Sequence, residues 1–545
     1  MSTESAAAPA APSGPPVYTR KATGMVREIP MLDQAVFNAT SGPPVGVIVF
    51  GLFAILVFPR SNIYLTAILA PLFGVFVWAT FALMAAAMPR LGGDYTYNTR
   101  VLSPWLGLAG NIGGVISPAL GAGLWATFMA TQGLSPCFTV IGTVTNSPRL
   151  VRWGTYFSPT HRNVVFAVAL AVILLTMALS ILGTRIAFRA ITISFLIGCF
   201  GLAVSLLILI FESHSSFVGT VNHVGGTNAY QKTVNAAAGK GLYPSEGGYA
   251  AKATVGALYY WSINSIWVWW GTYTASEFKG GGRRRRQMWA MVGTGVVQSI
   301  IVLVVVVAFL NTVGYNFFVS ALDGNFAPAN GLVGSANYAY FAALIAKNTV
   351  IVAVLAIAWL GWWIPGMYIN YAMVQRAFIT WSLDGLLPEK VSEVNERRHT
   401  PIISIGIATV AVTATAALAA YYASFSQIFL FIALFGYMPI FFVGLSAMIM
   451  KWRRPDLYRG SPAEWRVGGV EMLPIVGAIC TFIGGALLFM TLYFHEALGI
   501  NRFHLAEELF IALFVVAALW LYGARAIRRR QGIDLSLAYK VIPPE

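Results

Sequence analysis

The stretch Thr40-Ser41-Gly42-Pro43-Pro44-Val45-Gly46 stands in the middle of an apolar segment, 33–58, and decides how the chain is read. Two adjacent prolines remove two backbone N–H donors, so a regular helix cannot run through them. Apolar sequence continues on both sides, and an interrupted helix inside a hydrocarbon layer is tolerated only where the loose backbone faces protein or a cavity. The expected structure is a pair of half-helices. Ser41 is expected to cap the second, whose first turn accepts proline because its N–H groups have no intrahelical partner. The surrounding composition places this break in a membrane. Of 545 residues, 57% are hydrophobic and 10% charged, with mean hydropathy +0.70, whereas soluble domains carry about 25% charged residues. The 20 acidic and 35 basic side chains cannot cover several soluble surfaces. A soluble enzyme, a disordered chain and a coiled coil are excluded.

A spanning helix needs about 20 apolar residues. Twelve segments qualify, at 33–58, 62–88, 104–132, 163–184, 189–212, 254–277, 288–312, 341–376, 402–422, 425–450, 471–494 and 504–526. The class is therefore an all-α polytopic membrane protein with 12 transmembrane helices. Residues 1–30 read as a disordered tail, 31–212 as a first five-helix half, and 213–253 as an external loop. A second five-helix half follows at 254–451, then helices 11 and 12 within 452–527 and a tail at 528–545. On alternate loops, 26 of the 35 Lys and Arg fall on one side together with both termini. Cytoplasmic loops are enriched in basic residues, so both termini are expected in the cytoplasm of a multi-pass cell-membrane protein. The same division puts +12 of the net +15 inside. Arg283 to Arg286 then orient the chain and meet anionic membrane lipid rather than nucleic acid.

Segment 6 carries a weaker interruption, Trp261-Ser262-Ile263-Asn264-Ser265, at the place corresponding to the segment 1 break. Ser and Asn compete for backbone hydrogen bonds, and interruptions at equivalent positions in two halves point to a transport site. Taken singly, the two features read equally well as a proline kink and a helix-packing patch. Asp33, Glu212, Glu277, Glu507 and Glu508 sit at segment ends, and no His lies in mid-span. Membrane enzymes and proton pumps need such groups at depth, so no catalytic residue is expected. Cys137, Cys199 and Cys480 have no metal-ligand spacing, and neither a metal nor a cofactor is expected. Mid-span residues are instead rich in Trp. Trp125, Trp267, Trp362 and Trp363 are candidates for a gate or a stacking wall, set against their commoner role in packing.

The loops carry a resemblance. Gly92-Gly93-Asp94-Tyr95 with Leu102-Ser103-Pro104-Trp105-Leu106-Gly107 resembles the first cytoplasmic loop of amino acid permeases of the amino acid-polyamine-organocation (APC) superfamily. Ser276-Glu277-Phe278-Lys279 with Met288-Trp289-Ala290 looks like that family's motif after segment 6. Gln375-Arg376-Ala377-Phe378, Ser382-Leu383-Asp384-Gly385-Leu386-Leu387-Pro388, Val394-Asn395 and His399-Thr400-Pro401 are similar to its segment 8–9 loop. Arg529 to Leu535 and the closing Ile542-Pro543-Pro544-Glu545 look like family C-termini. The resemblance implies a LeuT-type fold of two inverted five-helix repeats plus two C-terminal helices. It implies alternating-access transport of a small-molecule substrate, an amino acid or related solute. It also implies a site in which Ser41, Gly42, Val45 and Gly46 supply carboxylate donors and Ser262, Ile263, Asn264 and Ser265 supply ammonium acceptors, beside Trp261. Pro43 and Pro44 depart from the family's Gly/Ser-rich break and remove two donors. An amine or aromatic-solute carrier, or a transporter-derived nutrient sensor, is the alternative. Ile351 to Pro365 contains none of the hydroxyls that sodium-coupled relatives use, and Ile191 to Ile210 none of the lysines found in some proton-linked ones. Exchange, facilitated transport or an unrecognised coupling site remain open.

Overall fold

The computed structural model describes residue 27 and residues 29–326, 337–346, 348–395, 400–422, 424–497 and 503–540. Most of the N-terminal tail, His399 and the C-terminal motif at 542–545 lie outside them. The chain is all-α. The helices used below are α1 (Met31–Ser41), α2 (Pro44–Val57), α3 (Ile63–Ala87), α4 (Asp94–Val101), α5 (Pro104–Phe128), α6 (Arg162–Leu182), α7 (Thr184–Phe211) and α8 (Ala251–Ser265). They continue with α9 (Thr294–Val313), α10 (Thr349–Leu360), α11 (Trp363–Leu383), α12 (Ile402–Tyr421), α13 (Phe425–Arg453), α14 (Met472–Tyr493) and α15 (Phe503–Arg530). Among the described residues the strands are one short hairpin, Arg466–Val467 with Val470–Glu471, turned at Gly468 and Gly469, both at positive φ.

Among the described residues, eleven helical runs are long and apolar enough to cross a membrane. Segment 6 is not among them because it is split into two short pieces, α8 and a 3-10 stretch, Ile266–Glu277. Outward-facing residues such as Phe211, Phe482 and Val410 are more than two-thirds exposed, as the lipid-facing side of a polytopic protein requires. Two spans differ from expectation. Segment 3 does not stop at 132 but passes through a π-helical turn, Met129–Leu134, to Val144. Segment 8 runs over Thr349–Leu383 rather than 341–376, because Asn348 Oδ1 accepts the N–H groups of Val350 and Ile351 and starts the helix there. A separate helix, Tyr338–Ile345, precedes it.

The loops carrying the basic excess meet at one end of the bundle. Arg454 donates to the carbonyl of Arg100 at 2.8 Å and to that of Lys540 at 2.9 Å. Ile29 forms a parallel bridge with Phe278, and Arg100 pairs with Asp384 at 2.8 Å. At this end the chain buries charges that read as loop residues in the sequence, and pairs them. Arg376 grips Glu277 through Nε at 2.8 Å and Nη2 at 3.0 Å, a two-bond fork with both side chains buried.

Candidate substrate-binding site

Segment 1 breaks where the prolines demand. α1 ends at Ser41, Gly42 leaves the helical region (φ −130, ψ 68), and Pro43 is extended. Pro44 takes the first position of α2. Ser41 does not cap the second half-helix as expected. Its hydroxyl donates back to the carbonyl of Asn38 at 2.5 Å, and Pro43 occupies the cap without a side-chain bond. Val47 N–H already bonds the Pro43 carbonyl. The first-turn donors without an intrahelical acceptor are therefore those of Val45 and Gly46.

The segment 6 interruption also differs from expectation. The α-helix runs intact through Ser265, and the polar side chains are spent on it. Ser262, Asn264 and Ser265 donate to the carbonyls of Leu258, Tyr260 and Trp261, each four residues back. The change comes at Ile266, where a 3-10 stretch begins that runs to Glu277 with a kink at Thr274. Runs beyond three or four residues are uncommon, and in mid-helix they often mark a hinge. Two contacts set that position. Trp78 Nε1 donates to the Ile266 carbonyl at 3.0 Å. Gly42 presses so close that a Cβ there would lie 2.7 Å from the Asn264 carbonyl oxygen. Only glycine lets the two breaks touch backbone to backbone. The Gly42 carbonyl in turn accepts from Gln298 Nε2 on α9.

Between these breaks lies a cavity of about 50 Å³. Ser41, Gly42, Pro43 and Gly46 form one wall, Ile263, Asn264, Trp267 and Trp270 a second, and Gly121, Leu124, Trp125 and Phe128 of α5 a third. Phe50, Phe429 and Ile432 complete it with Asn370 of α11. No ionisable side chain lines it among the described residues. Asn370 is 1% exposed, and its Nδ2 donates to the Gly366 carbonyl at 2.7 Å. That bond fixes the amide's orientation, since exchanging N and O would set two acceptors face to face. Oδ1 is left buried with no partner, against Gly121, whose Cβ would lie 2.5 Å from it. An acceptor buried without a donor costs about 1–3 kcal/mol.

Of the residues singled out in the sequence, Ser41, Gly42, Gly46, Ile263, Asn264, Trp125 and Trp267 line this cavity; Val45, Trp261, Ser262, Ser265, Trp362 and Trp363 do not. Trp261 and Ser265 face a smaller space beside Gln298. Trp363 forms a second layer, 5.5 Å from the Trp125 ring and 6.0 Å from that of Phe128. Trp362 turns towards α7, edge-on to Phe195 and against Gly198. Sequence reasoning did not find Asn370, Trp270 or Phe429. The only signal for Asn370 was an amide inside an otherwise apolar span.

Below the cavity, towards the basic end, Trp267 stacks on Tyr437 at 5.6 Å and Trp269 on Phe81 at 4.2 Å. Gly92 and Gly93, both at positive φ, then turn α3 into α4 in a space where a Cβ would meet Thr380 and Thr272 at 2.6 Å. The turn drives Asp94 into the bundle, where it is fully buried. Burial pushes its carboxyl from 3.8 up to about 7, while hydrogen bonds from Tyr273 and Asn111 oppose the rise.

An all-α polytopic membrane protein with an uncharged, aromatic-walled cavity between two interrupted segments belongs to the class of membrane transport proteins. The chain belongs to the amino acid permease family, whose family model matches residues 34–522. No curated protein matches it.

Proposed function

We propose that this permease moves an amino acid or related small solute across the cell membrane by alternating access, within a LeuT-type pair of inverted repeats and with both termini in the cytoplasm. One observation carries the reading: Gly46, which with the adjacent Val45 forms the free N–H end of α2, and Asn370, whose Oδ1 is unpartnered, line one uncharged cavity. A zwitterion needs that combination. Its carboxylate sits on helix N-terminal donors, where the dipole is positive, and its ammonium donates to Asn370. Pro43 and Pro44 narrow the carboxylate site to two donors without removing it. The pairing of half-helices supports the inverted repeat, since α1 packs along the 3-10 stretch and α2 along α8.

The cavity holds about 50 Å³, where one water needs about 10–15 Å³. It suits the backbone atoms of an amino acid. Any side chain beyond a methyl requires the Trp125, Phe128 and Phe429 rings to move. The clustering of basic loops at one bundle end supports the orientation, and the family membership favours a transporter over an enzyme. Reconstitution tests the reading. Liposomes loaded with unlabelled amino acids should exchange them for radiolabelled small neutral ones, and no exchange of any of the twenty under any imposed gradient would refute it.

A further inference from the structure

Asp94 sits where four elements meet at the basic end: the N-terminus of α4, Asn111 of α5, Tyr273 of the 3-10 stretch and Trp381 of α11. Tyr273 donates its hydroxyl to Asp94 Oδ1 at 2.5 Å, and Asn111 Nδ2 reaches both carboxyl oxygens at 3.2 and 3.3 Å. The same Nδ2 donates to the Tyr273 oxygen at 2.6 Å. Trp381 Nε1 donates to Asn111 Oδ1 at 2.7 Å, which fixes the amide with its N–H groups towards Asp94. The carboxyl is fully buried and its hydrogen-bond donors are neutral. The neighbouring acids differ, because Glu277 is matched by Arg376 and Asp384 by Arg100.

We propose that Asp94 is a proton-binding site at the basic end of the permease, holding that end shut when protonated and letting it open when the proton leaves. The inference rests on the transport reading above. Opening this end means moving the 3-10 stretch away from α4, α5 and α11, to which the Asp94 cluster ties it. Water then reaches the carboxyl and accepts its proton, leaving a solvated carboxylate and a hydronium ion.

The surroundings leave Asp94 as the group that titrates. α5 brings no titratable residue. On α13, Tyr437 stacks on Trp267, Lys451 pairs with Glu471 at 2.6 Å and Arg453 is exposed. Arg376 of α11 is held by Glu277, and on α4 Arg100 is held by Asp384 between the rings of Tyr95 and Tyr539. Tyr97 and Tyr273 are the remaining neighbours and are neutral phenols. Since burial holds the carboxyl at about 7 in the closed form, and a solvated aspartate titrates near 4, the closed form binds a proton that the open form releases. The stabilisation of the closed form is complete below the open-state value and is lost as pH rises through about 7. Opening becomes about tenfold more favourable between pH 6 and pH 8.

The test needs no substrate. In inside-out vesicles, a full-length chain with Cys137, Cys199 and Cys480 replaced by Ala and carrying Ser276→Cys is labelled with a membrane-impermeant maleimide, corrected for thiolate fraction with an exposed control cysteine. Ser276 is buried on the same 3-10 stretch, three residues beyond Tyr273. The labelling rate should rise about tenfold from pH 6 to pH 8. Asp94→Asn should label at the slow, low-pH rate throughout, and Tyr273→Phe should move the midpoint to higher pH, since its hydroxyl lowers the Asp94 pKa. A flat wild-type profile, or an Asp94→Asn profile that keeps the wild-type slope, overturns the proposal. Where Asp94→Asn does not fold, an unshifted Tyr273→Phe midpoint overturns it. Failure of the transport reading shows separately, as absent exchange in the liposome assay.

Discussion

Replacing Asn370 by Leu separates a binding role for this side chain from a packing role. Leu keeps the branching and heavy-atom count of Asn, so no cavity opens at this 1% exposed position, while its bulkier methyls crowd Gly121 and the Gly366 carbonyl. In folding, the variant loses one hydrogen bond from Nδ2 to the Gly366 carbonyl, an acceptor that the helix itself already uses. It also loses a buried acceptor without a donor. A typical bond contributes about 1 kcal/mol and an unsatisfied buried group costs about 1–3 kcal/mol, so these two effects offset, and the bulk of the methyls leaves a net loss of at most about 1–3 kcal/mol. Binding should behave differently. On the proposed binding mode Oδ1 accepts from the substrate's ammonium, and a hydrogen bond to a charged group is worth about 1.5–3 kcal/mol. At 1.4 kcal/mol per decade, that is roughly a 10- to 150-fold rise in Kd. The assay is thermal melting of purified protein titrated with the amino acid that stabilises wild type most, followed by calorimetric Kd for both proteins. An Asn370→Leu Kd within twofold of wild type, in protein that still melts cooperatively, would refute the assignment of Oδ1 to the ligand.

Three further outcomes are expected. Gly42→Leu places a Cβ 2.7 Å from the Asn264 carbonyl oxygen, a backbone atom that cannot step aside. Overpacking of this kind costs about 1–3 kcal/mol, so the variant should insert, melt lower and lose ligand-dependent stabilisation; an unaltered thermal shift would contradict this. Asn264→Leu removes an amide that faces the cavity and bonds its own helix at 3.0 Å. Affinity should weaken by about 0.5–1.5 kcal/mol, and unchanged binding would assign Asn264 to packing. Arg376→Leu leaves Glu277 charged and buried and should cost about 3–5 kcal/mol in denaturant titration, whereas Glu277→Leu with Arg376→Leu should recover most of that loss. A double variant no more stable than the single one would show that the fork contributes more than mutual neutralisation.

The features legible in the sequence are those whose cause is local. Pro43 and Pro44 cannot donate, whatever surrounds them, so the segment 1 break follows from the residues alone. Long apolar runs force membrane helices, and the alternation of basic loops follows from counting. Only the tertiary structure decided the rest, because in each case a neighbour distant in sequence supplies the energy. Segment 6 changes helix type at Ile266 rather than within Ser262 to Ser265, where Trp78 and Gly42 approach it from other segments. Trp362 and Trp363 are adjacent in sequence, yet Trp362 faces α7 while Trp363 backs Trp125, a division that a pattern of Trp cannot show. Asn370 was one amide among apolar residues until Gly366, Gly121 and the cavity gave its oxygen a direction. Asp94 read as a residue of the first cytoplasmic loop, where charge ordinarily means solvent. The Gly92-Gly93 turn carries it inside, and burial there, not its own chemistry, raises its affinity for a proton.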